Sequence, residues 1–400
     1  MARIIICGYM IRHPVVGNLL AFFHYLLGFS KMGHQVIYLE ESGWSQSCYD
    51  PSYRNYSDDP EPGIRVVKNL FSRFGINAEL GFINRETGRI YGLVWDDLKE
   101  ALKTADLLLN IGGVCWLPDF KLCQRRALID MDPFFTQIGK FAIGGLEDYQ
   151  MLFSYGTNIG QFGCSIPTHG RDWLPTVPPV VPEIWTDESP TNSAYLKSNT
   201  DIPFTTVANW TAYGSITYEG KTYGQKREEF LRLLDLPKRS PFPLELALCG
   251  IGPKERKQFE VAGWQIRDSQ FSENFEEYQA YITQSKGEFS VAKQAYVITR
   301  SGWFSDRSVC YLAAGCPTVL QDTGFRDEVS SGNGLLMFST LDEAVHCLNC
   351  VKHDYLRHSK AAREVAERVF SYRIVLPRLL DLALHSKSGH QTTNFLGDPP

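Results

Sequence analysis

Nowhere in the 400-residue chain does an apolar run reach the length of a membrane span, and the run before Gly8 in MARIIICGY is too short for the apolar core of a signal peptide. A strong charge of one sign is also missing: 40 basic and 45 acidic residues give a net charge of −5. That balance leaves no electrostatic footprint for nucleic acid or an anionic membrane surface, so neither is expected as a partner. The ten cysteines lack the spacing of a small disulfide scaffold, and in a chain without an export signal they are expected to stay reduced in the cytoplasm. In that compartment the sequons at Asn55 and Asn209 carry no meaning. Cys7, Cys249 and Cys310 read as core residues. Short-period repeats and low-complexity tracts are absent too, which excludes a solenoid.

What is present is ordinary globular composition, 44% hydrophobic and 21% charged, in a chain longer than one core normally serves. Ile4 to Cys7 reads as a strand, Gly8 to Val16 as a loop, Gly17 to Met32 as an apolar-periodic helix, and Val36 to Leu39 as the next strand. This βαβ order predicts a parallel sheet. Helical patterns near Ile64 to Phe74 and Trp95 to Ala101, and strands at Asp106 to Ile111, Leu128 to Met131 and Met151 to Ser154, continue it. A proline-rich stretch, Ile166 to Trp185, precludes a regular helix or central strand and reads as a crossover between domains.

The alternation then restarts. Strands are expected at Phe204 to Ala208, Leu244 to Cys249, Trp264 to Ile266 and Phe289 to Ala292, with helices at Lys226 to Leu234 and Phe275 to Thr283. Three amphipathic patterns, Leu341 to Val351, Ala361 to Phe370 and Ile374 to Leu384, close the chain. The fold class is therefore α/β, with domains over 1–180 and 181–370, a C-terminal helix over 371–386 crossing back to the first domain, and a disordered tail over 387–400.

The densest signal is AYVITRSGWFSDRSVCYLAAGCPTVLQDTGF, residues 295–325. Tyr296 to Ile298 is β-prone, Ser301 and Gly302 break the run, and Ser305 or Asp306 is placed to cap a helix running to Gly315. The first turn of such a helix offers unpaired N–H groups and the positive end of its dipole to an anion. Arg300 and Arg307 would add charge-assisted bonds. Strand-to-helix turns of this composition also occur in α/β domains with no ligand there.

SGWFSDRSVCYLAAGCPTVLQDTGF, followed by GLLMFSTLDEAVHCLNCVKHDYLRHSKAAREVAERVF, resembles the donor-binding domain of GT-B glycosyltransferases, and RIIICGY with KMGHQVIYLE is similar to their first βαβ unit. The resemblance covers roughly residues 2–385. It implies two Rossmann-like domains facing each other across a cleft, the first binding an acceptor and the second a nucleotide sugar. The activity implied is transfer of a sugar from a nucleoside diphosphate sugar to a small or medium acceptor, a natural product, lipid or glycan. UDP is the expected nucleotide, and no cofactor or metal is implied; nothing sets the oligomeric state.

Carried over residue by residue, the resemblance puts Lys226, Ser305, Asp306 and Arg307 at the donor phosphates. Arg300, Gly302 and Ser308 belong to the same phosphate-binding turn, and Asp322, just after a strand, could hold a donor-sugar hydroxyl or make an Asx turn. It departs at the acidic pair that such enzymes carry before the G-x-P step, since Gly302 and Cys310 stand there. An epimerase of the same fold, or a catalytically silent nucleotide-sugar-binding protein, therefore stays open.

An inverting transferase needs a base at the acceptor hydroxyl, and histidine titrates near neutrality. His13 lies after the first strand, where open α/β sheets place ligands, and similar inverting enzymes often carry a histidine in this loop. It could equally pack beside Pro14. His169 in the proline-rich stretch is a second candidate. Asp132, with Asp130, could orient a base or cap a turn before Pro133. Trp303 and Phe304 could stack on the nucleobase, or bury behind the turn. His346, Cys350 and His353, with Cys347 adjacent, share a helix face able to present metal ligands, but a fourth ligand at zinc-finger spacing is missing.

Overall fold

A computed structural model describes residues 1–139, 145–186, 199–212, 214–325 and 332–385, so the tail expected over 387–400 lies outside the described residues. The chain forms two compact units, Met1–Gly160 with Pro167–Val181 and Tyr372–Pro400, and Gln161–Ile166 with Pro182–Ser371. Each is a Rossmann-like α/β layer structure.

The first unit is built on an eight-stranded sheet in the order Trp173–Pro175, Met151–Ser154, Arg126–Asp130, Leu107–Ile111, Arg3–Cys7, Gln35–Ser42, Glu79–Asn84, Arg89–Gly92. All neighbours are parallel except the last pair, an antiparallel edge hairpin. Ile4, Ile5, Ile6 and Cys7 are fully buried because helices cover both faces of the sheet. The proline-rich stretch contributes the edge strand Trp173–Pro175, where a missing N–H is tolerated. Helix Val16–Lys31 is buried nearly all round, because Tyr372–His385 packs against it. Tyr372 N–H donates to the Val180 carbonyl at 2.8 Å.

The second unit holds a six-stranded parallel sheet in the order Gln265–Asp268, Leu244–Cys249, Phe204–Asn209, Gly287–Ser290, Thr318–Gln321, Leu335–Phe338. Its core joins Phe204, Phe230, Leu246, Phe259, Trp264, Phe289 and Leu348. The segment Gln161–Ile166 belongs here, with Ser165 N–H donating to the Thr299 carbonyl at 3.1 Å.

Two sequence expectations fail. Tyr296 to Ile298 is not a strand: the sheet strand is Gly287–Ser290, and Gln294–Ile298 is a short helix. Strand-prone side chains yield there to tertiary packing, with Tyr296 buried against Trp303 at 4.6 Å between ring centroids. Cys249 is exposed rather than core, since it ends its strand at the sheet edge where the chain turns out. The ten cysteines are all free.

Candidate functional site

In an open α/β sheet, the crevice forms where successive connections leave a strand in opposite directions. In the first unit this switch point lies between Arg3–Cys7 and Leu107–Ile111, because the next strand after Arg3–Cys7 joins its other side. The loop after Arg3–Cys7 carries His13 and is clamped by one carboxylate. Glu40, buried on the neighbouring strand, accepts the N–H groups of Ile11 and Arg12, both at 2.7 Å, and the Tyr38 hydroxyl at 2.5 Å. Arg12 also pairs with Glu40 at 3.2 Å and reaches across the switch point to donate to the Val114 carbonyl at 2.8 Å. Asn18 closes the loop, its amide donating to the Tyr9 and His13 carbonyls at 2.7 and 2.9 Å.

His13 is thereby held half-buried among three tyrosines, its ring centroid 6.1 Å from Tyr9, 5.3 Å from Tyr49 and 6.4 Å from Tyr56. The Tyr56 hydroxyl is 3.4 Å from His13 Nδ1. Burial lowers the His13 pKa below its usual value, which favours the neutral imidazole able to accept a proton.

The other two candidates differ. Asp130 is buried and accepts from Thr136 Oγ1 at 2.6 Å, Gln137 Nε2 at 2.9 Å and Ser154 Oγ at 2.6 Å, so it organises the following turn. Asp132 follows on that turn, half-buried, its N–H donating to Asp130 at 2.9 Å. His169 sits on an exposed turn with φ of 51°. Both Asp132 and the His13 loop follow parallel strands at the same sheet edge, separated by strand Leu107–Ile111.

The second unit has its switch point between Phe204–Asn209 and Gly287–Ser290. Those strands pair at Phe204–Gly287 and Thr205–Glu288, and the pairing ends there. Arg307, from the first turn of helix Asp306–Ala313, fills the gap. It donates to Glu288 at 2.6 Å, Ser290 Oγ at 2.7 Å and the Val207 carbonyl at 2.9 Å. Ser305 caps that helix by accepting the Arg307 N–H at 3.3 Å. Asp306 takes the same N–H at 3.0 Å, and burial raises its pKa.

Lys226 begins helix Lys226–Arg232 and comes within electrostatic reach of this group. Burial, with Arg307 and Lys293 adding repulsion, pushes its ammonium down to about 7. Lys293 lies just past the end of Gly287–Ser290. Around the same point three buried polar atoms are without hydrogen-bond partners: Gln225 Nε2, Glu288 Oε2 and Ser308 Oγ. Ser308 is fully buried and lines a small pocket with Ser290, Trp303, Ser305 and Thr323.

Gly302, with φ of 71°, donates its N–H to the Thr323 carbonyl at 2.8 Å, which ties the turn to the loop after Thr318–Gln321. Asp322 makes a tight turn by accepting the Gly324 N–H at 2.7 Å, and its other oxygen is 3.9 Å from the exposed Arg300. Phe304 is buried against Phe370 at 4.5 Å between centroids. Cys310 is buried, with its thiol on the Asp306 carbonyl at 3.3 Å. A polar group absent from the sequence reading adjoins: buried Glu229 accepts from Gln321 at 2.5 Å and from Gln294 and Arg232, each at 3.2 Å.

His346 Nε2 and Cys350 Sγ stand 3.5 Å apart on an exposed helix face. No group of three or more His, Cys, Asp or Glu side chains able to hold a metal occurs among the described residues. No helix there is long and apolar enough to cross a membrane.

No protein-family model matches the chain, and no curated protein does. Solved structures match over nearly its whole length. An alpha-glucosyltransferase in complex with UDP and a 13-mer DNA is similar at TM-score 0.59 and 12% identity, over 96% of this chain and 100% of that one. AviGT4, a glycosyltransferase of avilamycin A biosynthesis, is similar at TM-score 0.55 and 12% identity, over 96% and 97%. Anabaena HepE, in complex with UDP and glucose, is similar at TM-score 0.55 and 10% identity, over 96% and 100%.

Proposed function

We propose that this chain, which has the GT-B fold shared by those neighbours, is a glycosyltransferase that uses a nucleoside diphosphate sugar. The observation that carries the reading is the second unit's switch point, where Lys226, Lys293 and Arg307 gather beside the capped start of helix Asp306–Ala313. A diphosphate brings the negative charge that such a group lacks. Arg307 already spends donors on Glu288, Ser290 and Val207, so it acts as fixed positive charge, while Lys226, Ser308 and backbone N–H groups make the direct contacts. Arg300 and Asp322 flank the donor sugar, behind the turn at Gly302.

On the first unit, His13 removes the proton from an acceptor hydroxyl. The oxygen forms a bond to the anomeric carbon as the bond from that carbon to the diphosphate breaks. The leaving diphosphate keeps the electron pair, and the cations stabilise its charge. Because side chains and the helix start supply that charge, the reading requires no metal ion. The reaction is placed in the cytoplasm, where nucleotide sugars are supplied.

UDP, GDP and ADP, with their sugars, are to be tested by thermal shift, since a ligand of the folded state raises the melting temperature by mass action. At least one is expected to stabilise the protein and to support transfer, and His13→Ala should cut transfer about 10²–10⁴-fold with nucleotide binding kept. Stabilisation by none of them overturns the reading. Binding without turnover, indifferent to His13→Ala, would instead favour the silent nucleotide-sugar protein, in keeping with Gly302 and Cys310 where similar enzymes carry acids.

A further inference from the structure

The first unit's switch point is paved with aromatic rings. Tyr9, His13, Tyr49 and Tyr56 form one run, with Tyr49 and Tyr56 centroids 5.2 Å apart. Trp44 and Trp116 form a second pair at 6.3 Å. Arg12 joins the two, its guanidinium 4.3 Å from the Tyr9 ring centre and 5.1 Å from that of Trp44. Trp44, Tyr49 and Tyr56 all come from one excursion between strand Gln35–Ser42 and helix Glu61–Arg73, whose small hairpin pairs Cys48–Asp50 with Asn55–Ser57. Tyr49 N–H donating to the Arg12 carbonyl at 2.8 Å fixes that hairpin beside the His13 loop.

The exposure of these rings is unusual for this unit. Trp44 is 44% exposed and Tyr56 50%, whereas Tyr25, Phe29 and Phe82 of the same unit are buried. Fixed, exposed rings with polar edges suit one chemistry above others. A pyranose presents C–H groups on one face and hydroxyls at its rim, so it stacks on a ring and hydrogen-bonds around it. A lipid chain needs a deep aliphatic groove, which tyrosine hydroxyls and an arginine would make costly. A nucleic acid would meet the exposed carboxylates of Asp58 and Asp59 and the half-exposed Asp50 at the hairpin.

From this surface we infer that the acceptor is a saccharide, held by stacking on Trp44, Tyr49 and Tyr56 with one hydroxyl presented to His13. The inference deepens the proposed transferase reading and rests on it for the identity of the reaction. The binding claim stands apart from it.

Saturation-transfer NMR on the full chain tests it, with neutral gluco-, manno- and N-acetylglucosamine oligosaccharides, a 13-mer duplex DNA and phosphatidylglycerol vesicles as probes. Saturation of pyranose C–H protons is expected, and Trp44→Ala and Tyr56→Ala should each weaken saccharide binding about three- to tenfold. Both side chains are exposed, so the fold should survive their loss, and UDP binding should be unchanged as the check on that. Saccharide binding undiminished in both variants, or binding of DNA or vesicles with no saccharide bound, overturns the inference. Saccharide binding in a protein that binds no nucleotide sugar would support the platform while defeating the transferase reading.

Discussion

In each unit an arginine crosses the switch point, pairs with a buried glutamate and donates to a valine carbonyl on the far side. Arg12 does so with Glu40 and Val114, and Arg307 with Glu288 and Val207. The surroundings then part ways. Arg12 lies against the rings of Tyr9 and Trp44 and its charge is paired with Glu40. Arg307 lies near Lys226 and Lys293, three cations beside the carboxylates of Glu288 and Asp306. On the readings proposed above, the same backbone device supports an aromatic stacking surface in one unit and an anion site in the other, the difference lying in the side chains around the switch point rather than in the fold.

The largest effects should come from the two arginines themselves. Arg12→Met and Arg307→Met each leave a buried glutamate without its partner and should lose about 3–5 kcal/mol of stability in urea unfolding. If the comparison is right, only Arg307→Met also weakens UDP binding in calorimetry. An equal loss of UDP affinity in both variants would break it.

A smaller effect concerns Lys226, whose free ammonium titrates at about 7. A bound diphosphate favours the protonated form. UDP affinity should thus be flat below that pH and fall as pH rises through it, by up to about tenfold per unit, with protons taken up on binding. Calorimetry in buffers of different ionisation enthalpy measures the uptake, and Lys226→Met should abolish it. Smallest of all, Ser305→Ala removes a helix cap and should cost about 1 kcal/mol, read from the urea midpoint.

The fold was legible in the sequence because hydrophobic periodicity over segments such as Arg3–Cys7 and Leu341–His353 is a local property. Lys226, Ser305 and Asp306 were legible for a related reason, since a helix start announces itself within a few residues. Lys293 and Gln321 were not, because what they face, Lys226 and Glu229, comes from a distant part of the chain. Glu229, Gln294 and Gln321 meet only through tertiary packing. The aromatic platform was equally hidden, since Tyr9, Trp44, Tyr56 and Trp116 come from three separate connections.

Helix Tyr372–His385 sets the order in which this protein can be finished during synthesis. It lies so close on Val16–Lys31 that a Cβ added at Gly28 would sit 2.6 Å from Leu376 Cδ1 and 2.9 Å from Tyr372 Cβ. A chain emerging from the ribosome makes Val16–Lys31 well before Tyr372–His385, the helix that covers it. The second unit, drawn from Gln161–Ile166 and Pro182–Ser371, is complete before then. The usual N-terminal-first sequence is thereby inverted. Until Tyr372–His385 is made, the apolar side of Val16–Lys31 that it covers has no partner from that helix.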